Sequence, residues 1–214
     1  MNSTPGTTQD FLAEIAPFDR LSPDALTRLV ASIQLLRYRM GQPIVVKEKM
    51  PAQISVLYHG QARLLGYDPN SQLPITLQRL EPGAILGWVS LIRGVACETA
   101  IASTEAICLT IPATQFLALL AQNQEFAAYF SEQPALIEVF DLLSNDLRDR
   151  ADSNLILKKA GVDDLKQLTL KALSRSVVQN LNGRKSQEPG LDSAHLWFVS
   201  GGKPATDLPV GQRY

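Results

Sequence analysis

The sequence predicts an α+β fold in which a small antiparallel β jelly roll is flanked by N-terminal and C-terminal helices. Short β-type runs follow one another at close intervals between residues 37 and 111, separated by glycine, proline and asparagine. Apolar residues at helical spacing precede these runs and return after Pro112. Many short strands at close intervals are typical of a small barrel or jelly roll.

The predicted elements follow from capping signals and periodicity. Residues 1–9 are polar and are expected to form a flexible tail. Ser22-Pro23-Asp24 supplies an N-cap, a proline at the first helical position and an acid in the first turn. The strands are predicted at 37–41, 44–46, 54–58, 62–65, 75–77, 100–102 and 106–111. Gly41 and Gly60 are expected at strand corners with positive φ. A short helix is predicted over 89–93.

Composition and charge exclude several classes of function. The net charge of the 214 residues is −1, so no basic field exists to hold a nucleic acid. Cys97 and Cys108 lie in apolar surroundings and are predicted to be reduced thiols. The start of the chain lacks a signal peptide pattern, and a cytoplasmic location is expected. The most apolar window, 100–121, is interrupted by polar residues and proline, so it does not predict a membrane span.

No catalytic or metal-binding pattern is present. His59 and His195 lie in predicted strands far apart in the sequence. Gly202-Lys203-Pro204 lacks the preceding glycine and the hydroxyl residue of a nucleotide loop. No spacing of His, Cys and Asp indicates a metal site. The chain is therefore predicted not to be an enzyme.

A series of short motifs occurs in a fixed order along the chain. They are Phe11-Leu12, Phe18, Leu21-Ser22, Gly41, Leu57-Tyr58-His59-Gly60, Leu80-Glu81-Pro82-Gly83, Leu86-Gly87, Thr99-Ala100-Ile101-Ala102, Ile111-Pro112 and Phe116. From Phe11 to about Phe130 the chain thus resembles the cyclic nucleotide-binding domain family. The resemblance implies the β roll predicted above and a regulatory role.

The resemblance also implies a phosphate-binding cassette after the Pro-Gly turn. In the family, backbone N–H groups at the start of a short helix hold the cyclic phosphate, an arginine neutralises it, and a glutamate accepts from the ribose. Here Gly87 keeps the glycine, and Trp88 stands in the position of the glutamate. Ser90 matches a small residue, Ala96 stands in the position of the arginine, and Thr99 keeps the last hydroxyl. The stretch is about two residues shorter than the bacterial activator version.

These departures predict a degenerate ligand site. Its residues are Gly87, Trp88, Val89, Ser90, Arg93, Ala96, Cys97 and Thr99. Each missing charge-assisted bond costs roughly 1.5–3 kcal/mol, which takes a micromolar binder toward millimolar affinity. Cyclic nucleotide binding is therefore disfavoured and no cofactor is expected, while a smaller anion or another ligand stays open. Arg93 is expected to face solvent, and Trp88 is expected to fill or cover the ribose pocket.

The C-terminal part predicts a linker and a second, partial repeat. A helix over 131–150 is expected to pack on the roll or, alternatively, to form a homodimer. Gly183 and Gly202 repeat the separation of Gly41 and Gly60, in the same order of neighbouring motifs. The predicted units are a 10–130 domain, a 131–165 helical linker and a 166–214 partial repeat. A roll cut there exposes strand edges, so the chain is expected to be a piece of a longer protein.

One setting combines these features. The linker motif Phe140-Asp141-Leu142-Leu143 and the stretch from Leu196 to Gly202 before Pro209-Val210-Gly211 resemble the N-terminal cytoplasmic region of cyanobacterial peptide- and protein-export ABC transporters. The resemblance implies a regulatory or assembly module with protein partners, and a membrane link only through a region downstream. Two alternatives stay open: the effector half of a catabolite-activator-type transcription regulator, and a true cyclic nucleotide sensor.

Overall fold

The computed structural model describes residues 5–149, 161–179, 196–198 and 200–201. The helices are α1 (Pro5–Ala13), α2 (Pro23–Val30), α3 (Trp88–Arg93), α4 (Ala113–Gln122), α5 (Gln124–Ser131), α6 (Leu136–Asp149) and α7 (Val162–Leu173). The strands are β1 (Gln34–Tyr38), β2 (Pro43–Val45), β3 (Gln53–His59), β4 (Ala62–Tyr67), β5 (Pro74–Leu80), β6 (Ile85–Leu86), β7 (Thr99–Ala102) and β8 (Ala106–Pro112).

Two four-stranded antiparallel sheets form the roll and confirm the predicted fold class. One sheet has the order β1-β8-β3-β6 and the other β2-β7-β4-β5. The β3–β4 connection passes from one sheet to the other at Gly60. Gly41 and Gly60 both have φ of +82°, as the sequence predicts for strand corners.

Apolar residues form two clusters, one on each side of the β3–β8 sheet. The first packs the outer helices on this sheet, with Leu12, Phe18, Leu29, Ile54, Val56, Leu109, Phe116, Phe126 and Phe130. Its phenylalanine rings meet edge to face, and the centroids of Phe116 and Phe130 are 5.1 Å apart. The second cluster fills the space between the two sheets, with Leu57, Ala62, Leu64, Leu86, Val89, Ala100, Cys108, Ala135 and Ile137.

The local signals for α2 are confirmed in detail. The Ala25 N–H donates to the Ser22 hydroxyl at 3.3 Å, and Pro23 occupies the first helical position. Because the proline has no N–H to leave unpaired there, the cap and the proline start the helix at the predicted place.

Several predicted boundaries differ from the structure, and three of the differences concern whole elements or their starts. α1 begins at Pro5, inside the predicted 1–9 tail. β1 begins at Gln34 rather than 37, because an edge strand with four exposed residues gives no period-2 burial pattern. The predicted 131–150 helix is interrupted, since α5 ends at Ser131 and α6 starts only at Leu136. Pro134 lies in the gap, where a missing N–H disfavours a continuous helix.

The described part of the C-terminal region is mainly α7, which packs on α6. α7 contains Leu168-Thr169, which follows Leu26-Thr27 of α2 at the same offset of 142 residues that separates Gly183 from Gly41. Gly183 and Gly202 lie outside the described residues, so the second repeat stays a prediction. Within the parts of the chain that are described, no helix is both long and apolar enough to cross a bilayer.

Candidate functional site

The cassette helix α3 lies between two glycines with left-handed backbone. Gly87 has φ of +85° and turns β6 into the helix, and Gly94 has φ of +71° and ends it. The predicted short helix is confirmed and starts one residue earlier, at Trp88. Since L-residues rarely adopt these angles, both glycines fix where the helix begins and ends.

The N-terminus of α3 is occupied by a carboxylate of the chain itself. The Gly87 N–H donates to Glu98 Oε1 at 3.2 Å, and the N–H groups of Val89 and Ser90 donate to Oε2 at 3.1 and 3.4 Å. Glu98 is only 3% exposed. These hydrogen bonds satisfy helix-end N–H groups that otherwise need an external acceptor. The backbone groups expected to hold a ligand phosphate are therefore already paired.

Sequence reasoning missed Glu98. It directly precedes Thr99 and is not among the predicted site residues. The signal was present as an acidic residue in the middle of an apolar stretch, Val95 to Ala102. A buried carboxylate requires partners, but the sequence does not show which backbone groups supply them.

Burial and hydrogen bonding have opposite effects on this carboxyl group. The pKa of Glu98 is raised from 4.5 to about 7, chiefly by burial and to a smaller extent by the nearby charge of Glu138. The hydrogen bonds from Gly87, Ser90 and Val89 oppose this rise because they favour the ionised form. The Glu98 carboxyl consequently changes its charge near neutral pH.

The loop from Gly94 to Glu98 folds back over α3. The Cys97 N–H donates to the Ser90 hydroxyl at 3.1 Å, and Ser90 Oγ lies 3.5 Å from Cys97 Sγ. Cys97 and Cys108 are free thiols, as predicted. Burial raises the pKa of the Cys97 thiol to about 12, so it stays protonated and unreactive.

The other cassette residues are placed as follows. Trp88 is half-buried, and its ring centroid is 5.2 Å from that of Phe130 on α5. Val89 is buried between the two sheets. Ala96, which stands in the position of the family's arginine, is half-buried and carries no charge. The Thr99 hydroxyl accepts from the Lys47 N–H at 3.2 Å and so holds the strand after the cassette.

The expectation that Arg93 faces solvent is wrong. Arg93 is 7% exposed and forms an ion pair with Glu138 of α6 through two hydrogen bonds. Its Nη2 also donates to the Gln133 carbonyl oxygen at 3.3 Å. The sequence missed this contact because α3 is too short to show a polar face, and its partner lies on a later helix.

Acidic groups outnumber cations around the cassette. Burial is the largest cause of the raised pKa of the Cys97 thiol, and the charges of Glu98, Glu138 and Asp141 raise it further. Burial also raises the pKa of Asp141 to about 6, opposed by the charge of Lys47. Because Arg93 is already paired with Glu138, the surroundings of the cassette disfavour an added anion.

The geometry of Gly87 gives a test of the helix start. Gly87→Glu is expected to destabilise the fold by about 2 kcal/mol, because φ is positive and the new carboxylate lies near that of Glu98. An added Cβ would also lie 3.2 Å from the Gln53 carbonyl oxygen. Denaturant unfolding of Gly94→Glu is the matched control, since a Cβ at Gly94 meets nothing within 4 Å. Equal losses of stability would contradict this account.

Comparison with known proteins finds similar structures and one matching family model. No curated protein sequence matches the chain. The regulatory domain of Toxoplasma gondii protein kinase A with cAMP is similar, with a TM-score of 0.53 and 16% identity over 58% of this chain and 48% of that one. The regulatory subunit of a cAMP-independent protein kinase A from Trypanosoma brucei has a TM-score of 0.51 and 13% identity over 72% of this chain and 51% of that one.

These similarities span about half of the length of the kinase subunits and concern the fold. The family model of the cyclic nucleotide-binding domain matches residues 35–123, which run from β1 to the end of α4 and contain the whole cassette. The roll, the short helix between two left-handed glycines and the matched segment agree with one another. Residues 35–123 therefore match the model of the cyclic nucleotide-binding domain, and the two sheets with their flanking helices have the fold of that domain.

Proposed function

We propose that the chain is a non-enzymatic regulatory or assembly module that acts through protein contacts and is not controlled by a cyclic nucleotide. The observation that carries the proposal is the Glu98 carboxylate at the start of α3, which accepts from Gly87, Val89 and Ser90. A cyclic phosphate needs the same N–H groups. It would have to displace a buried carboxylate and then lie among further acids.

The interior of the roll next to the cassette helix is packed with apolar side chains, which supports the same proposal. Ala135 and Ile137, at the start of α6, are buried among the side chains between the two sheets. Phe140 is fully buried against β4, where a Cβ at Gly66 would lie 2.7 Å from its ring. A cavity of about 500 Å³ does occur near Gly41 and Arg63, but no cassette residue lines it.

The test is calorimetric titration with cyclic AMP and cyclic GMP. Both are expected to bind with dissociation constants weaker than about 1 mM, because the arginine and glutamate contacts are missing and the N–H groups are taken. The kinase regulatory domain from Toxoplasma gondii serves as the positive control under the same conditions. A micromolar dissociation constant for either nucleotide would overturn the proposal.

The setting proposed for the module is the N-terminal cytoplasmic part of a secretion ABC transporter. The linker and C-terminal motifs that resemble this region support it. The similar regulatory subunit from Trypanosoma brucei belongs to a kinase described as cAMP-independent, which is consistent with a module that cAMP does not control. The coding sequence that follows codon 214 provides the test. Membrane spans and an ATPase motif there are expected, whereas a DNA-binding domain would favour a transcription regulator.

A ligand sensor is the second candidate function. The observation that favours it is the preserved backbone of the cassette, in which Gly87 and Gly94 keep left-handed angles and the helix N–H groups converge on one acceptor. A sensor would bind something other than a cyclic nucleotide. Screening by thermal shift with small neutral and anionic metabolites separates the two functions, because the assembly module is expected to give no concentration-dependent shift.

A further inference from the structure

A cavity lies beside the start of β4 and the end of β7, and no cassette residue lines it. Its volume is about 500 Å³, a size typical of small-molecule sites. Its lining includes Met40, Gly41, Gln61, Arg63, Arg79 and Ser103. Thr99, the last cassette residue, begins β7, whereas Ser103 directly follows the end of this strand. The cavity and the cassette are therefore at opposite ends of β7.

Two arginines lie directly opposite each other at the cavity. Arg63 of β4 and Arg79 of β5 are partners in the antiparallel register, and both line the cavity. Like charges at opposite positions of neighbouring strands destabilise a sheet. Neither guanidinium group forms an ion pair within the described part of the chain. Among the described residues that line the cavity, none is acidic. The two positive charges are thus arranged as they would be around an external anion.

Two buried polar atoms of the same lining residues lack a hydrogen-bond partner among the described residues. They are Nε of Arg63 and the hydroxyl oxygen of Ser103. Arg63 Nη1 donates to the Thr76 hydroxyl at 3.4 Å, so the guanidinium group is held beside the strand while Nε has no acceptor. Buried donors without acceptors are unfavourable, and an acceptor oxygen between these groups would relieve that cost.

The rim of the cavity adds a polar and an apolar group. The Gln61 amide donates to Glu81 Oε1 at 2.9 Å, so the neighbouring carboxylate already has a partner. Met40 is 76% exposed and offers an apolar surface to the rest of a ligand. One guanidinium group is enough to pair with both oxygens of a carboxylate. Two guanidinium groups and a hydroxyl suit a phosphate monoester, which has three free oxygens and nearly two negative charges at neutral pH.

We propose that this cavity binds the phosphate group of a small phosphate monoester, with Arg63, Arg79 and the Ser103 hydroxyl as its donors. The volume of the cavity exceeds that of a phosphate group and leaves room for an organic part beside Met40. This site goes beyond the proposed function, which concerns the cassette and protein contacts. It gives the roll a ligand at the end of β7 that the cassette does not reach.

Calorimetric titration of the whole chain tests the site. The probes are glycerol 3-phosphate, glucose 6-phosphate and inorganic phosphate, with glucose as the uncharged control. At least one ester is expected to bind with a dissociation constant below about 1 mM, and glucose is expected not to bind. Arg79→Gln, at an exposed position, is expected to weaken ester binding at least about tenfold. Arg37→Gln is the matched control, expected to change binding less than about twofold, because it removes the same charge from an exposed position of β1 outside the cavity.

The proposal fails if neither ester binds below about 1 mM, or if glucose binds as tightly as glucose 6-phosphate. Equal weakening in Arg79→Gln and Arg37→Gln would also overturn it, because binding would then depend on net charge alone. Binding of inorganic phosphate without either ester would leave a site for a simple ion and would overturn it as well.

Glu98→Gln separates this site from the cassette. Because Glu98 does not line the cavity, the substitution is expected to change ester binding less than about twofold. Tighter ester binding in Glu98→Gln would place the phosphate at the start of α3 and would contradict the proposal. None of the probes is a cyclic nucleotide, so a failure here is distinguishable from a failure of the proposed function.

Discussion

Gly60→Ala is expected to destabilise the roll by at least about 3 kcal/mol, or roughly 10 °C in melting temperature. Gly60 has φ of +82°, and a Cβ there would lie 2.2 Å from the Glu105 carbonyl oxygen and 3.0 Å from the Ala106 Cα. These are backbone atoms of the turn into β8, which pairs with β3. They can move only if the corner between the two sheets opens.

Gly41→Ala provides a matched control for this prediction. Gly41 has the same φ of +82°, but an added Cβ there meets nothing within 4 Å. The free energy of unfolding of Gly41→Ala is expected to fall by only about 1–2 kcal/mol, which is the cost of an L-residue in a left-handed backbone conformation. Thermal unfolding of both variants isolates the effect of the close approach. Equal losses of stability would mean that the corner at Gly60 adjusts freely.

The free energy of unfolding is expected to fall as pH rises from 4.5 to about 7. The Glu98 carboxyl has a pKa of about 7 in the folded chain, against an ordinary value of 4.5. Below 4.5 it is protonated in both states, and between the two values only the unfolded chain loses the proton. Stability from this group is therefore fully present below pH 4.5 and is lost through pH 7, by on the order of 3 kcal/mol.

Denaturant unfolding from pH 4.5 to 8 measures this effect, and Glu98→Gln is expected to remove most of the slope. Asp141, with its pKa raised to about 6, adds to the slope in the same direction at lower pH. Asp141→Asn therefore separates the two groups. A native protein that gains stability from pH 5 to pH 7, with the same slope in Glu98→Gln, would contradict the assignment.

Local signals predicted much of the fold. The Ser22 cap, the corners at Gly41 and Gly60 and the short helix after Gly87 each depend on residues within a few positions of one another. Such signals act through backbone angles and short-range hydrogen bonds, so they can be read from sequence. β6 was missed because two residues are too few to show a period.

The parts of the site that the sequence did not predict depend on tertiary contacts. Glu98 reaches the start of α3 only because the loop folds back, and Arg93 meets Glu138 across 45 positions of sequence. Neither partner has a spacing that indicates the contact. When motifs are compared position by position, the loss of the family's arginine and glutamate is visible. The comparison does not show that the Glu98 carboxylate occupies the N–H groups at the start of α3.

The Glu98 carboxylate is also an intramolecular competitor. For any ligand that needs the same N–H groups, the observed dissociation constant is the intrinsic one divided by the fraction of molecules in which Glu98 has left them. If that fraction is about one in a hundred, an intrinsic constant of about 10 µM is measured as about 1 mM. A single substitution at Glu98 is thus expected to raise the apparent affinity without changing any contact that a ligand makes. Mild acidification, which neutralises the carboxyl, is expected to act in the same direction.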